Sequence, residues 1–191
     1  GIEAWGEAQQ AFLTQQTGMI IYSTSSIAPM KQGAADNGFE LDTAYLPSAG
    51  GDRTGVPIGG ASLWVPQGLS DAQQQAAGEL LLYMTQPEQQ ATWHTGTGYF
   101  PVREESITQL EDDGFYEENP SFRTAIDQLN ETESTPATSG ALMGPFPEVR
   151  TIIEEGYVEM IQNEGTDVAS ALEDVKSDAD SAIQSYNDRV S

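Results

Sequence analysis

The sequence carries few side chains of the kinds that enzymes use for catalysis. Its one histidine, His94, cannot build a histidine-rich metal site alone, and we expect it to pack in the interior or to cap a helix. The absence of cysteine excludes disulfides, thiolate zinc sites and cysteine nucleophiles. Gly59 and Gly60 lack the Gly-Lys-Ser/Thr that would complete a phosphate-binding loop, and no G-x-S-x-G or H-E-x-x-H motif occurs. The residue types therefore predict a protein that is not an enzyme and holds no metal and no cofactor.

Two short motifs carry weaker signals. Asp112 and Asp113 precede Gly114, but they lack the spacing of a calcium-binding EF-hand loop, so we expect a solvated loop there. Asn130 opens a formal glycosylation sequon, Asn-Glu-Thr, in a predicted loop. Such triplets are common by chance, and the sequence alone does not decide whether Asn130 is modified.

Arg150 is the residue best suited to bind an anion. It lies just inside a predicted helix start, behind a Gly-Pro-Phe-Pro loop, in a chain with only five arginines. An arginine near a helix N-terminus suits a phosphate or a carboxylate. The alternative is an exposed ion pair with Glu154, one helical turn away, worth about 0.2–0.5 kcal/mol. The residues leave both interpretations open.

Tyr99 is a second candidate binding residue. It follows Gly98 and precedes Phe100, so it lies on a turn. An aromatic residue next to glycine is often a core residue. A tyrosine on a turn can also offer its hydroxyl and its ring face to a ligand, and both interpretations stay open.

Length and charge limit the kinds of partner. The 191 residues correspond to about one average domain or slightly more. Thirty acidic residues against seven basic ones give a formal net charge of −23, which opposes binding to nucleic acid and to anionic membranes. Dispersed acidic residues with only two lysines, Lys31 and Lys176, favour a protein that works at high salt, where repulsion is screened. We therefore expect a halophilic source and an acidic surface; the alternative is an ordinary acidic protein.

Helices dominate the predicted elements. Two short strands are expected, an apolar run at 19–22 and an alternating segment at 39–45. The helix from Ser70 begins with a capping box to Gln73, and the next has Pro87 in its first turn. The predicted helices span about 3–17, 28–37, 70–84, 87–94, 104–110 and 120–129. Two long helices, each with an apolar stripe at helical spacing, begin just after Pro147 and at Val168. The expected class is an α/β domain with few, short strands.

Five motifs with compatible spacing carry a family resemblance. They are STSS at 23–26, PIGGASLWV at 57–65, WHTGTGYFPV at 93–102, GFYEENP at 114–120 and PEVR at 147–150. Together they resemble the solute-binding proteins of ABC importers, the large family that includes maltose-binding protein, and among them the members that bind glycerol-3-phosphate. The resemblance covers nearly the whole chain and corresponds to the later half of such a protein.

The resemblance implies a role for each of five residues. Ser23 would offer a hydroxyl from a turn, and Gly60 would offer its backbone N–H where a side chain would block approach. Tyr99 would donate its hydroxyl to the phosphate, and Arg150 would supply the fixed positive charge. Trp64 would line the pocket or pack in the core, and we favour the core.

The resemblance also implies a fold and a location. The family has a type II periplasmic-binding-protein fold, in which two α/β lobes close over the ligand. Residues 1–55 and 106–191 would belong to the C-terminal lobe, and residues 56–105 to the N-terminal lobe. Since the chain begins with Gly1 inside an apparent helix and shows no signal peptide, we expect a fragment or a processed piece of a longer protein. That protein would be extracytoplasmic, lipid-anchored and monomeric.

The implied function is capture of a small molecule for uptake. The ligand would be glycerol-3-phosphate or a related glycerophosphodiester, delivered to the membrane permease subunits of an ABC transporter. One alternative keeps the family and replaces the ligand with a neutral sugar or oligosaccharide. An enzyme with catalytic residues elsewhere and a purely structural acidic surface module are alternatives of other classes.

Overall fold

Local sequence signals fix the starts and ends of several helices. The computed structural model describes residues 5–48, 50 and 55–191. The capping box at Ser70 forms, because the Ser70 hydroxyl accepts a hydrogen bond from the Gln73 N–H and the Gln73 side chain accepts one from the Ser70 N–H. Pro87 is the first residue of the next helix, and Asp167 caps the last one by accepting from the N–H groups that follow it.

The described residues form helices joined by turns and extended segments. The helices are α1 (Trp5–Leu13), α2 (Ile27–Asp36), α3 (Asp71–Met84), α4 (Pro87–Thr97), α5 (Glu104–Asp112), α6 (Phe115–Glu118), α7 (Thr124–Asn130), α8 (Phe146–Gln162) and α9 (Val168–Val190). Short 3-10 turns, Thr24–Ser26 and Pro120–Phe122, precede α2 and α7. The helix α6 was not predicted, and Asn130 ends α7 where the sequence had predicted a loop.

The two predicted strands are absent from the part of the chain that the structure describes. Residues 19–22 and 39–45 are neither helix nor strand there. A strand needs a neighbour that pairs with its N–H and C=O groups, and no described segment supplies a ladder for either run. The described residues are therefore helical with extended connections, and the expected sheet is not formed by them.

The chain divides into two compact units. In the larger unit, Gly6–Thr138, a core gathers side chains from α2, α4, α5, α6, the second 3-10 turn and α7. The buried members of this core are Ile27, Ala91, Leu110, Tyr116, Phe122 and Ile126. The boundary near residue 138 is not one of the predicted lobe boundaries, which concern the whole protein and stay a prediction.

The second unit contains Ser139–Ser191 and is built on the pair α8 and α9. The apolar stripes predicted for these helices let them pack closely. A Cβ on Gly156 would overlap the side chain of Val175, and a Cβ on Gly144 would overlap the ring of Tyr186. Glycine at these two positions lets the backbone approach the neighbouring side chain.

Two segments of the larger unit expose apolar side chains. No residue of α3 is buried, although its sequence has an apolar stripe that includes Leu80. The extended segment 57–65 exposes Ile58, Leu63 and Trp64. None of the helices formed by described residues is long and apolar enough to cross a membrane.

Candidate functional site

The hydroxyl-rich turn at 23–26 leads into α2. Ser23 has an extended backbone conformation and caps the 3-10 turn, and its Oγ accepts a hydrogen bond from the Ser25 N–H at 3.3 Å. The Oγ atoms of Ser23 and Ser25 also lie 2.9 Å apart. Ile27, which begins α2, is buried in the core and anchors the turn. Ser23 thus caps the short 3-10 turn that leads into α2 and lies four residues before that helix begins.

Gly98 connects this turn to the segment that carries Tyr99. It ends α4 in the left-handed conformation, with φ of 111°, and its N–H donates to the carbonyl of His94 at 2.7 Å. A Cβ on Gly98 would overlap the carbonyl oxygen of Thr24 and the Cγ2 atom of Ile27. Only glycine satisfies both constraints. The structure therefore brings the segments that carry Ser23 and Tyr99 together.

Tyr99 lies partly at the surface. The residue is 40% exposed, and its ring centroid lies 6.4 Å from that of Trp93, which is 53% exposed. Within the described residues the Tyr99 hydroxyl has no hydrogen-bond partner, so it is available to a ligand. Trp93 was not singled out as a candidate. The signal that could have found it is its position on the last turn of α4, one helical turn before the turn that carries Tyr99.

His94 lies beneath this surface and is only 1% exposed, so of the two expected roles, packing in the interior or capping a helix, it has the first. Its Nδ1 is 2.7 Å from the Tyr99 carbonyl oxygen, and its Nε2 is 3.1 Å from the Tyr116 hydroxyl. Because a carbonyl oxygen can only accept, Nδ1 carries the proton and the Nε2 of the neutral ring accepts from Tyr116. Burial lowers the pKa of His94, partly offset by the bond to Tyr99, and burial raises the pKa of Tyr116 to about 12. Both groups are therefore neutral near pH 7.

Among the described residues, no hydrogen bond links Gly60 or Trp64 to the turns that carry Ser23 and Tyr99. A Cβ on Gly60 would meet no atom within 4 Å in the described structure. Trp64 is 86% exposed, and its indole N–H donates to the Ser62 hydroxyl at 2.8 Å. The expectation that Trp64 packs in the core is therefore wrong for the described structure, because most of its surface stays exposed. Its assignment to a pocket lining, like the backbone role of Gly60, stays a prediction.

Arg150 lies on the first half of α8, in the unit that contains Ser139–Ser191. Its Nε donates to the Glu154 carboxylate at 2.8 Å, so the ion pair that the sequence offered as an alternative is present. The side chain is exposed, and its two terminal nitrogens have no partner among the described residues. Arg150 can therefore still offer two parallel N–H donors to an anion.

The other polar clusters do not suggest a metal or an anion site. No group of three or more histidine, aspartate or glutamate residues in the described ranges is arranged to hold a metal ion. A broad surface depression of about 920 Å³ borders α5. Its lining includes Arg103 together with Glu104, Glu105, Asp112 and Asp113, so four carboxylates outweigh one cation and oppose an anionic ligand.

Comparison with known proteins gives related binding proteins. A family model described as bacterial extracellular solute-binding protein matches residues 1–124. The sn-glycerol-3-phosphate-binding periplasmic proteins UgpB of Pectobacterium atrosepticum and of Escherichia coli K12 are each 32% identical to the chain over 149 residues. These matches cover 78% of this chain and 34% of each relative, so the chain spans about a third of their length.

A solved structure resembles the chain over more of its length. This is the crystal structure of UgpB from Mycobacterium tuberculosis in complex with glycerophosphocholine, with a TM-score of 0.70 and 27% sequence identity. The match covers 93% of this chain and 43% of the other. The helical arrangement described above is thus similar to part of a solute-binding protein.

Proposed function

Because the chain belongs to the family of bacterial extracellular solute-binding proteins, we propose that it captures glycerol-3-phosphate or a related glycerophosphodiester for an ABC importer. The observation that carries this proposal is the likeness over 93% of the chain to a protein whose structure is a complex with glycerophosphocholine. The two curated relatives at 32% identity, named for glycerol-3-phosphate, support the same ligand class. Both ligands share a glycerol and a phosphate, and the proposal concerns recognition of that shared part.

Arg150 is the proposed phosphate-binding residue. A ligand with a negative charge meets a chain of net charge −23, so binding requires a cation held in place. The bond from Arg150 Nε to Glu154 orients the guanidinium plane and leaves the two terminal nitrogens free to fork onto phosphate oxygens. An exposed pair of this kind contributes about 0.2–0.5 kcal/mol to stability, so little stability is lost if the ligand weakens it.

The remaining assigned residues are proposed to bind the rest of the ligand. Tyr99 would donate its free hydroxyl, and Ser23 would donate its hydroxyl while it continues to accept from the backbone of the turn. Gly60 would donate its backbone N–H, and Trp64 would offer its exposed ring as a pocket lining. Ser23→Ala and Tyr99→Phe each remove one proposed hydroxyl donor and test those two roles.

A neutral sugar is the second candidate ligand, and the exposed aromatic rings favour it. Trp93 and Tyr99 lie side by side with half-exposed rings, and stacking on such rings suits the apolar faces of a sugar. In that case aromatic contacts would supply most of the binding energy, and the loss of Arg150 would have little effect. The two candidates therefore differ in what they predict for one substitution.

For the whole protein we propose the type II two-lobe α/β fold. We also propose that the protein is extracytoplasmic and lipid-anchored and that it works as a monomer with membrane permease subunits. Residues 1–55 and 106–191 would lie in its C-terminal lobe and residues 56–105 in its N-terminal lobe. We also propose a halophilic source and an acidic surface. Seven basic residues can neutralise only a minority of thirty acidic ones, and screening by molar salt relieves the repulsion that remains.

Titration calorimetry on the full-length protein in molar salt tests the ligand assignment. The ligands are glycerol-3-phosphate, glycerophosphocholine and maltose, and the variants are Arg150→Ala and Arg103→Ala. Arg103 is the matched control, because it is also an exposed arginine paired with a glutamate, Glu105, at 2.9 Å. We expect Arg150→Ala to weaken phosphate-ligand binding by 2 kcal/mol or more, about thirtyfold or more, and Arg103→Ala to change it less than about twofold.

The other outcomes separate the alternatives. Binding of maltose that is insensitive to Arg150→Ala would support the neutral-sugar candidate and overturn the phosphate assignment. If glycerol-3-phosphate binds and Arg150→Ala and Arg103→Ala weaken binding equally, the ligand assignment is supported and the role of Arg150 in recognising it is refuted. Absence of binding by all three ligands would refute the proposed ligand class.

A further inference from the structure

We propose that His94, hydrogen-bonded between the Tyr99 carbonyl and the Tyr116 hydroxyl, is a positioning residue that holds Tyr99 in place for the ligand. This inference rests on the proposed function, in which Tyr99 contacts the ligand. It adds two buried residues, His94 and Tyr116, that no sequence motif for binding assigned. They act through Tyr99 rather than on the ligand.

The hydrogen bonds form a continuous chain from the core to the turn. The Tyr116 hydroxyl donates to His94 Nε2 at 3.1 Å, and His94 Nδ1–H donates to the Tyr99 carbonyl at 2.7 Å. Removing the Tyr116 hydroxyl leaves Nε2 buried without its donor, and the imidazole is then hydrogen-bonded only at Nδ1, to the Tyr99 carbonyl. The hold on the Tyr99 carbonyl therefore depends on a residue 17 positions further along the chain.

The rings around His94 keep the chain of bonds rigid. Phe115, Tyr116 and Phe122 lie with ring centroids 6.2, 5.7 and 5.5 Å from the His94 ring, mostly edge to face. Because His94 is 1% exposed, water does not compete for its two nitrogens. A rigid imidazole fixes the carbonyl to which it donates more closely than a mobile surface group would.

The Tyr99 segment has a second restraint on its other side. Gly98 lies against the Thr24 carbonyl and Ile27, which blocks movement of the segment in that direction. The Tyr99 N–H donates to the Thr97 hydroxyl at 3.2 Å. The backbone of Tyr99 is therefore bonded at both its N–H and its carbonyl, while its hydroxyl stays free. A buried device that fixes the backbone and leaves the side chain available is what positioning requires.

Tyr116→Phe is the cleanest test, because it removes one hydroxyl and keeps the buried ring. The matched control is Tyr83→Phe, since Tyr83 is half-exposed and its hydroxyl has no partner among the described residues. We expect Tyr116→Phe to raise the dissociation constant for glycerol-3-phosphate about fivefold, the loss of roughly one hydrogen bond. In a Tyr99→Phe background the same substitution should have almost no further effect, because it acts through Tyr99.

A spectroscopic readout follows the turn itself. Trp93 packs beside Tyr99, so the fluorine-19 resonance of 5-fluorotryptophan at position 93, assigned with Trp93→Phe, should shift in Tyr116→Phe and not in Tyr83→Phe. His94→Asn keeps an amide donor near the position of Nδ1, whereas His94→Leu keeps none. We expect His94→Asn to bind glycerol-3-phosphate more tightly than His94→Leu does. If His94→Leu does not fold, Tyr116→Phe alone tests the positioning role.

Two results would overturn the inference. One is a lower melting temperature for Tyr116→Phe with an unchanged dissociation constant and an unchanged Trp93 resonance, which would make the pair purely structural. The other is full additivity of Tyr116→Phe and Tyr99→Phe in binding. If the wild-type protein binds no glycerol-3-phosphate, the proposed function fails by itself. The Trp93 resonance then decides the positioning role alone: a shift supports it and no shift refutes it.

Discussion

Replacing Gly98 with alanine tests whether the turns that carry Ser23 and Tyr99 meet as described. The left-handed backbone at Gly98 costs a residue with a Cβ about 1–2 kcal/mol. The new Cβ would also overlap the Thr24 carbonyl and the Ile27 side chain, and overpacking of this kind costs about 1–3 kcal/mol. The carbonyl is backbone and cannot rotate away. We expect Gly98→Ala to lower the free energy of unfolding by about 2–5 kcal/mol.

The matched control lies two residues earlier in the same helix. Gly96 is helical and exposed, and a Cβ there would meet no atom within 4 Å. Gly96→Ala should therefore stabilise the protein by about 0.5–1 kcal/mol through its helix propensity. Thermal unfolding followed by circular dichroism should show Gly98→Ala melting about 4–20 °C below the wild type and Gly96→Ala about 1–4 °C above it.

One result would refute the reasoning. If Gly98→Ala melted within about 2 °C of the wild type, less than the smallest destabilisation worked out above, the close contact of Gly98 with the Thr24 turn would be wrong. The conclusion that Ser23 and Tyr99 lie on adjoining segments would then lose its support. If Gly96→Ala lowered the melting temperature as much as Gly98→Ala, the loss of stability would come from the end of α4 and not from the contact of Gly98 with Thr24 and Ile27.

Three further outcomes can be measured by unfolding experiments. The free energy of unfolding should fall as the pH drops from 7.5 to 5.5, because burial lowers the pKa of His94 and the unfolded chain takes up a proton below about pH 6.5. In urea titrations, His94→Asn should make this dependence on pH less steep. Ser106→Ala should lower the free energy of unfolding by about 1 kcal/mol, because it removes a buried hydroxyl that donates to the Pro87 carbonyl at 2.8 Å. Thr108→Ala, on the exposed side of the same helix, should change it very little. The melting temperature should rise between 0.1 and 2 M NaCl, and a value independent of salt would contradict the high-salt proposal.

Features that depend on neighbouring residues were predicted well from the sequence. Ser70 and Gln73 form a capping box within four residues, so no distant contact is needed to recognise it. Pro87 begins a helix for an equally local reason. The stripes of α8 and α9 were also found, because a helix longer than four turns repeats its apolar spacing several times.

Features that depend on distant residues were missed or misassigned. The bond between His94 and Tyr116 joins residues 22 positions apart, and nothing in the local pattern of either residue indicates it. The runs at 19–22 and 39–45 have strand-like spacing, but spacing does not supply a pairing partner. Trp64 has the apolar surroundings of a core residue in sequence, yet burial requires atoms from elsewhere to cover it. Among the candidate site residues, the turn positions of Ser23 and Tyr99 were predictable, whereas their proximity was not.

The apolar side chains exposed along α3 and at 57–65 favour association between copies of the chain, whereas its negative charge opposes association. At low ionic strength, copies with a net charge of −23 repel each other beyond the reach of any apolar contact. Concentrated salt removes that long-range barrier and at the same time strengthens apolar association. The same added salt that relieves repulsion within one molecule therefore makes two molecules more cohesive. The chain passes from a mutually repelling solute towards salting out as ionic strength rises, with conformational stability and solubility moving in opposite directions.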